Sequence, residues 1–123
     1  MRRCRVSFPG MASPASGDTG TVPLELVVVT MSFAAADASA LVAVLAKYVV
    51  LTRMQPGCRN VDLCASATTA GRLLVIQKWE SPAAQRAHFD SDVMVEMARS
   101  CEGLLTAPPD IDLWDAANAH DLI

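Results

Sequence analysis

The stretch that decides the fold lies at residues 58–80 and reads CRNVDLCASATTAGRLLVIQKWE. It contains two short runs rich in apolar and β-branched residues, separated by the turn sequence TTAG at 68–71. Successive side chains of a strand point to opposite faces of a sheet. One face of the second run then carries Leu73, Val75, Gln77 and Trp79, and the other carries Leu74 and Ile76. We therefore predict a β-hairpin with strands over 58–66 and 72–80.

A helix is predicted before the hairpin, and a strand before that helix. Apolar and small residues between 37 and 54 recur every three or four positions, as in an amphipathic helix: Leu41, Val42, Leu45, Tyr48, Val49 and Thr52. Asp37 is a suitable N-cap, and Pro56-Gly57 ends the helix. The run LELVVVTM at 24–31 is short and β-branched, which is typical of a strand. Both of its faces are apolar, which indicates burial on two sides.

The segment after the hairpin is predicted to hold a helix broken in two. Ser81 and Pro82 form a strong start, because serine caps the first turn and proline fits its first position. This helix runs to about Phe89, and Asp90 or Ser91 caps a second segment. The stripe of the second segment consists of Val93, Met94, Met97, Cys101 and Leu104.

A short strand at 111–114 follows the proline pair 108–109 and completes the order strand–helix–strand–strand–helix–strand. This order predicts an α+β fold of ferredoxin-like type, with a four-stranded antiparallel sheet covered by helices on one face. Because the first and third strands are apolar on both faces, we expect two sheets to pair in a dimeric α+β barrel. The alternative is a monomer with scattered exposed apolar residues.

The chain divides into three predicted parts. Residues 1–20 are rich in Gly, Ser, Pro and Ala without periodicity, and are predicted to be a disordered tail. Residues 21–117 form the domain, and residues 118–123 form a C-terminal tail. The size of 123 residues and 13.1 kDa suits one domain.

Composition argues against several classes of function. The formal charge is −3, so no general attraction for nucleic acid is expected. No apolar run reaches the ~18–20 residues of a membrane span. No two of the four cysteines form a C-x-x-C pair, so a structural zinc site is not expected, and free thiols in a reducing cytoplasm are the simpler explanation. Cys58 and Cys64 are predicted to share one strand face roughly 20 Å apart, too far for a disulfide.

Two segments carry a family resemblance. The step Gln55-Pro56-Gly57-Cys58 enters the second strand, and the stretch KWESPAAQRAH at 78–88 joins the third strand to the next helix. Together with the order of elements, these segments resemble the antibiotic biosynthesis monooxygenase family over about residues 23–115. The resemblance implies a homodimer with a cavity in each protomer between the sheet and the helices. It also implies, for some members, oxidation of phenols or quinols by oxygen without metal or flavin.

The haem-degrading branch of the same superfamily is a poorer match. That branch places an iron-ligating histidine where this chain has Ala98. Family members also often carry a tyrosine where this chain has Val61. We therefore expect no haem. The resemblance to the cofactor-independent members further implies that no metal and no other cofactor is used.

Four residues are candidates for the site. His88 is the candidate catalytic base, because a histidine pKa lies near neutrality and His88 is the only histidine inside the predicted fold. Trp79, Tyr48 and Phe33 are candidates to bind a flat aromatic substrate. The alternative for His88 is a partly exposed helix residue without a catalytic task, and the alternative for the aromatic residues is ordinary core packing.

Three functions follow from these features. The first is a cofactor-independent monooxygenase that oxidises a small phenol, quinol or polyketide-like substrate. The second is a non-catalytic dimeric binding or stress-response module on the same fold. The third is an isomerase or decarboxylase in which His88 acts as acid and base without oxygen.

Overall fold

A computed structural model describes residues 25–117 of the chain. The predicted tails, 1–20 and 118–123, lie outside this range. The described chain forms seven elements: β1 (Val27–Ala34), α1 (Ala38–Arg53), β2 (Cys58–Ala65), β3 (Arg72–Trp79), α2 (Pro82–Phe89), α3 (Asp92–Cys101) and β4 (Asp110–Asp115). None of these helices is long and apolar enough to cross a membrane.

The four strands form one antiparallel sheet in the order β2-β3-β1-β4. This topology confirms the predicted ferredoxin-like βαββαβ fold. The predicted break in the second helix is also confirmed, since α2 ends at Phe89 and α3 starts at Asp92. The break arises because Ser91 adopts an extended backbone and its hydroxyl caps α3 by accepting from the Met94 amide at 3.4 Å.

The first strand differs from its predicted bounds. It was expected over 24–31, but β1 spans Val27–Ala34. The reason is its partner: the last three residues of β1, 32–34, pair with residues 72–74 of β3, so the hairpin strand determines where β1 ends. Alternate residues of β1 are buried and half-buried, so in a single chain one face packs on the helices and the other stays partly accessible.

A bulge in β2 corrects the predicted placement of two cysteines. Cys58 lies opposite Trp79, whereas Asn60 lies opposite Lys78, so Arg59 is an extra residue on the β2 side. Cys58 therefore faces the helices, while Cys64, opposite Leu74, faces outward. The prediction that both thiols share a face is wrong, because it assumed a regular strand. Cys58, Cys64 and Cys101 are all free thiols.

The core lies between the helix-facing side of the sheet and the three helices. It is built mainly from apolar side chains of β1, β3, α1 and α3. Among the described residues, the polar side chains buried in this core are Thr52, Gln77, Gln85 and His88. A buried polar side chain is costly unless it is hydrogen-bonded, so these residues draw attention to one part of the core.

Candidate functional site

Three elements, β3, α1 and α2, and the turn after α1 bring polar and aromatic side chains together. Gln77 and Trp79 are two residues apart on β3, so both point toward the helices. Tyr48 belongs to the buried stripe of α1. His88 lies in the last turn of α2, whose start is fixed by Ser81 as N-cap. Gln55 follows the end of α1.

These five side chains form one continuous chain of hydrogen bonds. Trp79 Nε1 lies 2.8 Å from Gln77 Oε1, and Gln77 Nε2 lies 2.6 Å from the Tyr48 hydroxyl. The Tyr48 hydroxyl lies 2.7 Å from His88 Nε2, and His88 Nδ1 lies 2.9 Å from Gln55 Oε1. We refer to Trp79, Gln77, Tyr48, His88 and Gln55 as the polar chain. Both nitrogens of the imidazole are engaged within it.

The polar chain is closed to solvent at its centre. Trp79 and Gln77 are 0% exposed, His88 is 1% exposed and Tyr48 is 2% exposed. The Trp79 ring stacks on the imidazole of His88, with centroids 4.8 Å apart and planes 26° from parallel. The exposure expected in the alternative for His88 is therefore wrong, whereas its catalytic role stays a prediction. His88 is buried because the short helix α2 directs this side chain at the sheet.

Burial changes the acidity of both groups at the centre of the chain. It lowers the pKa of His88 from 6.5 to about 4, because the imidazolium loses its hydration. Burial also raises the pKa of the Tyr48 phenol well above its usual value of 10, although the hydrogen bond from Gln77 acts in the opposite direction. At neutral pH both side chains are uncharged, and the same burial makes His88 a weaker base than a free imidazole.

Two thioethers cover the Tyr48 hydroxyl. Met94 Sδ lies 3.6 Å from it and Met31 Sδ lies 3.8 Å from it. Methionine side chains are flexible and adapt to new neighbours at low cost. Met94 comes from α3, whereas Met31 comes from β1, the inner strand paired with both β3 and β4.

A cleft between α1 and α3 leads to this region. It has a volume of about 210 Å³ and is lined by Ala43, Val44, Lys47, Tyr48, Leu51, Val93, Glu96, Met97 and Ser100. Its walls are largely apolar, and Lys47 and Glu96 form an ion pair of 3.0 Å between the two helices. Tyr48 is the member of the polar chain that borders the cleft.

The comparisons with known proteins agree with this architecture. The family model described as antibiotic biosynthesis monooxygenase matches residues 26–100. This chain belongs to the antibiotic biosynthesis monooxygenase family. A search of curated proteins finds no match.

Several solved structures are similar to this family member. Rv0793 from Mycobacterium tuberculosis is 30% identical over 77% of this chain and 98% of that chain, with a TM-score of 0.71. SnoaB from Streptomyces nogalater, described as a cofactor-independent oxygenase, is 18% identical over 77% of this chain and 96% of that chain, with a TM-score of 0.69. SO0527 from Shewanella oneidensis is 21% identical over 78% of this chain and 95% of that chain, with a TM-score of 0.71. SO0527 and SnoaB are only 21% and 18% identical to this chain, so their similarity indicates a shared fold and no more.

The structure brings together three of the four residues proposed from the sequence of this family member. His88, Trp79 and Tyr48 are in direct contact. Phe33 is buried in the same core but lies toward the other end of β1. Trp79 pairs with Val27, six residues from Phe33, which is roughly 20 Å along a strand. The roles of all four stay predictions.

Sequence reasoning missed Gln55 and Gln77 as members of the site. Gln77 carried a signal, because its strand face was predicted to be buried and a buried amide needs partners. Apart from its place in the Q-P-G-C step, nothing in the sequence marked Gln55 as a site residue, because its contact with His88 joins residues 33 positions apart. Within residues 25–117, no group of three or more His, Cys, Asp or Glu side chains is placed to hold a metal ion.

Proposed function

We propose that this chain is a monooxygenase that oxidises a small aromatic hydroxyl compound with molecular oxygen. The observation that carries the proposal is the buried Tyr48–His88 pair, in which a neutral imidazole faces a phenol that borders an apolar cleft. Family membership supports the reaction class. The proposal assigns no metal or flavin, because a phenol or quinol substrate supplies its own electrons.

The cleft favours a small flat substrate. Its volume of about 210 Å³ is below the roughly 300–1,000 Å³ of pockets for drug-sized ligands, which suits one or two aromatic rings. Apolar walls exclude water from a ring bound there. The proposal requires the Met94 thioether, 3.6 Å from the Tyr48 hydroxyl, to move aside so that a substrate hydroxyl can reach the Tyr48 oxygen.

Tyr48 and His88 then act as a proton relay. The substrate hydroxyl gives its proton to the Tyr48 oxygen, while Tyr48 passes its own proton to His88 Nε2. Tyr48 stays neutral throughout, so its raised pKa does not oppose the transfer. The imidazolium formed next to the substrate anion is stabilised by it, which offsets the burial that lowers the pKa of His88.

The substrate anion is the electron donor in the oxidative step. With a ring methylene activated by a neighbouring phenol, two C–H bonds are lost and one C=O bond forms. One atom of O₂ enters the product and the other leaves as water, so the substrate provides all four electrons. No external reductant is required.

A second function is favoured by one specific feature: the relay moves a proton and contains no group that must meet oxygen. A non-oxidative isomerase or decarboxylase uses the same Tyr48–His88 pair as acid and base. The two functions differ in whether oxygen is consumed with turnover.

The test is oxygen uptake by the purified full-length protein, freed of metal and flavin, with a panel of anthrones, hydroquinones and quinols. Uptake above a heat-inactivated control, with one ¹⁸O atom from ¹⁸O₂ in the product, supports a monooxygenase. Product formation without uptake supports the non-oxidative enzyme. No turnover of any panel member by folded protein argues against the monooxygenase. The matched control is Val50→Ala, which alters the exposed side of α1 and should leave the rate unchanged.

A further inference from the structure

Trp79 stands at one end of the polar chain, and its chemistry sets the direction of the first hydrogen bond. An indole N–H donates and never accepts. Gln77 must therefore present its carbonyl oxygen to Trp79 Nε1, across 2.8 Å, which turns the amide nitrogen toward Tyr48. The opposite orientation of the amide would place two donors against each other.

Met31 fixes the same orientation independently. Its thioether accepts and cannot donate, and Met31 Sδ lies 3.3 Å from Gln77 Nε2. The two N–H groups of the amide are then used by Tyr48 and Met31, and its oxygen is used by Trp79. Gln77 is satisfied in this orientation and in no other.

The direction passes from Gln77 to the histidine through Tyr48. Because the Tyr48 oxygen accepts from Gln77, its own proton is free to be donated to His88 Nε2 at 2.7 Å. The other acceptors within reach of that proton are the Met94 and Met31 thioethers at 3.6 and 3.8 Å, and sulfur accepts more weakly than an imidazole nitrogen. With the Tyr48 proton given to His88 Nε2, the proton of the neutral imidazole sits on Nδ1. Nδ1–H in turn donates to Gln55 Oε1 at 2.9 Å.

We propose that Trp79 and Gln77 are positioning residues that hold His88 in the Nδ1–H form, so that Nε2 faces Tyr48 as the proton acceptor of the relay. Trp79 is 0% exposed and stacked on His88. We therefore expect it to position His88 and not to contact the substrate. The catalytic meaning of the proposal rests on the proposed function, but the protonation pattern of His88 is measurable without any substrate.

The test uses full-length protein labelled with ¹⁵N in histidine, in a His120→Gln background so that His88 gives the only histidine signals. Long-range ¹H–¹⁵N NMR spectra show which ring nitrogen carries the proton. We expect protonated Nδ1 and unprotonated Nε2 in the otherwise unchanged protein. A proton on Nε2, or an equal mixture of both forms, would overturn the proposal.

Gln77→Glu reverses the predicted direction. At pH 9 the new carboxylate accepts from Trp79 and from Tyr48, so the Tyr48 oxygen is left to accept from His88. We expect the main signal to change from the Nδ1–H to the Nε2–H form. Gln85→Glu is the matched control, because it makes the same change at a buried position of α2 outside the polar chain and should leave Nδ1 protonated.

Trp79→Phe is the second variant, in case the carboxylate prevents folding. It keeps an aromatic ring against His88 but removes the indole donor. The Tyr48 hydroxyl can donate or accept, so the orientation of the Gln77 amide is then fixed only by the weak Met31 acceptor. We expect an Nε2–H signal to appear beside the Nδ1–H signal. An unchanged spectrum in folded Trp79→Phe would overturn the role of Trp79. Both NMR results are obtained without substrate. They therefore remain valid even if the proposed substrate class or the oxygenase activity is wrong.

Discussion

His88 couples protonation to stability at the scale of a single residue. Its pKa is about 4 in the folded protein and near 6.5 in an unfolded chain, so between these values the unfolded state binds a proton that the folded state does not. The free energy of unfolding therefore falls as pH decreases from 6.5 to 4, and this stability is fully present above pH 6.5.

The expected loss from His88 alone is about 3 kcal/mol across that window, since each pKa unit corresponds to about 1.4 kcal/mol. Urea unfolding at several pH values measures it. The His88→Gln variant lacks the titrating group and should show a correspondingly weaker pH dependence. Parallel pH dependences of the two proteins would show that His88 is not held neutral by burial.

Residue-scale features of the site were only partly predictable from the sequence. His88, Tyr48 and Trp79 stood out by type and by place on predicted elements, and the structure joins them. The burial of Gln85 and His88 could not be predicted, because polar residues three apart on a short helix usually indicate an exposed face. The Gln55–His88 contact depends on long-range packing, which no local pattern encodes.

At the scale of elements, the turn between α1 and β2 has to fit against α2. Gly57 has a φ of 84°, in the left-handed region, and a Cβ there would collide with the Cβ of Ala84 in α2. Gly103 has a similar φ of 82° but open space around it. The two glycines therefore share the backbone requirement and differ in packing.

We expect Gly57→Ala to destabilise the protein by more than Gly103→Ala. A left-handed alanine costs about 1–2 kcal/mol at either site, and the collision with α2 adds about 1–3 kcal/mol at Gly57. Chemical denaturation of both variants measures the difference. Equal losses would mean that α2 does not pack tightly against this turn.

Element boundaries were less predictable than element types. The alternation in β3 and the caps Asp37, Ser81 and Ser91 are local features, and the structure confirms them. The extent of β1 and the bulge at Arg59 depend on which residues the neighbouring strands present. Strand register is a property of a pair, so one strand's sequence cannot determine it.

At the scale of the whole molecule, we propose that the outward face of the sheet pairs with a second copy of the chain. It carries Trp114, 55% exposed, together with half-buried Val28 and Ile76. It also carries the basic residues Arg72 and Lys78 on β3 and the acidic residues Asp110 and Asp112 on β4. In two copies related by a two-fold axis, basic residues of one copy can lie opposite acidic residues of the other.

We expect the protein to be a dimer of twice the 13.1 kDa chain mass in light scattering. Ile76→Lys places a charge in the middle of the outward face and should give monomers. Val50→Lys makes the same change in charge on the exposed side of α1 and should remain dimeric. If the unmodified protein is a monomer, the proposed interface does not exist. If the Ile76→Lys variant remains a dimer, the interface lies elsewhere on the protein.

The central claim is that Tyr48 and His88 act as one proton relay in an oxygenase. It is tested most directly by oxygen-uptake rates of the unmodified protein, Tyr48→Phe, His88→Gln and the double variant, all confirmed folded and measured with the best substrate of the panel. A relay predicts that each single variant loses at least about tenfold in rate and that the double variant is no worse than the poorer single. Unchanged rates in the single variants, or losses that multiply in the double variant, would contradict it.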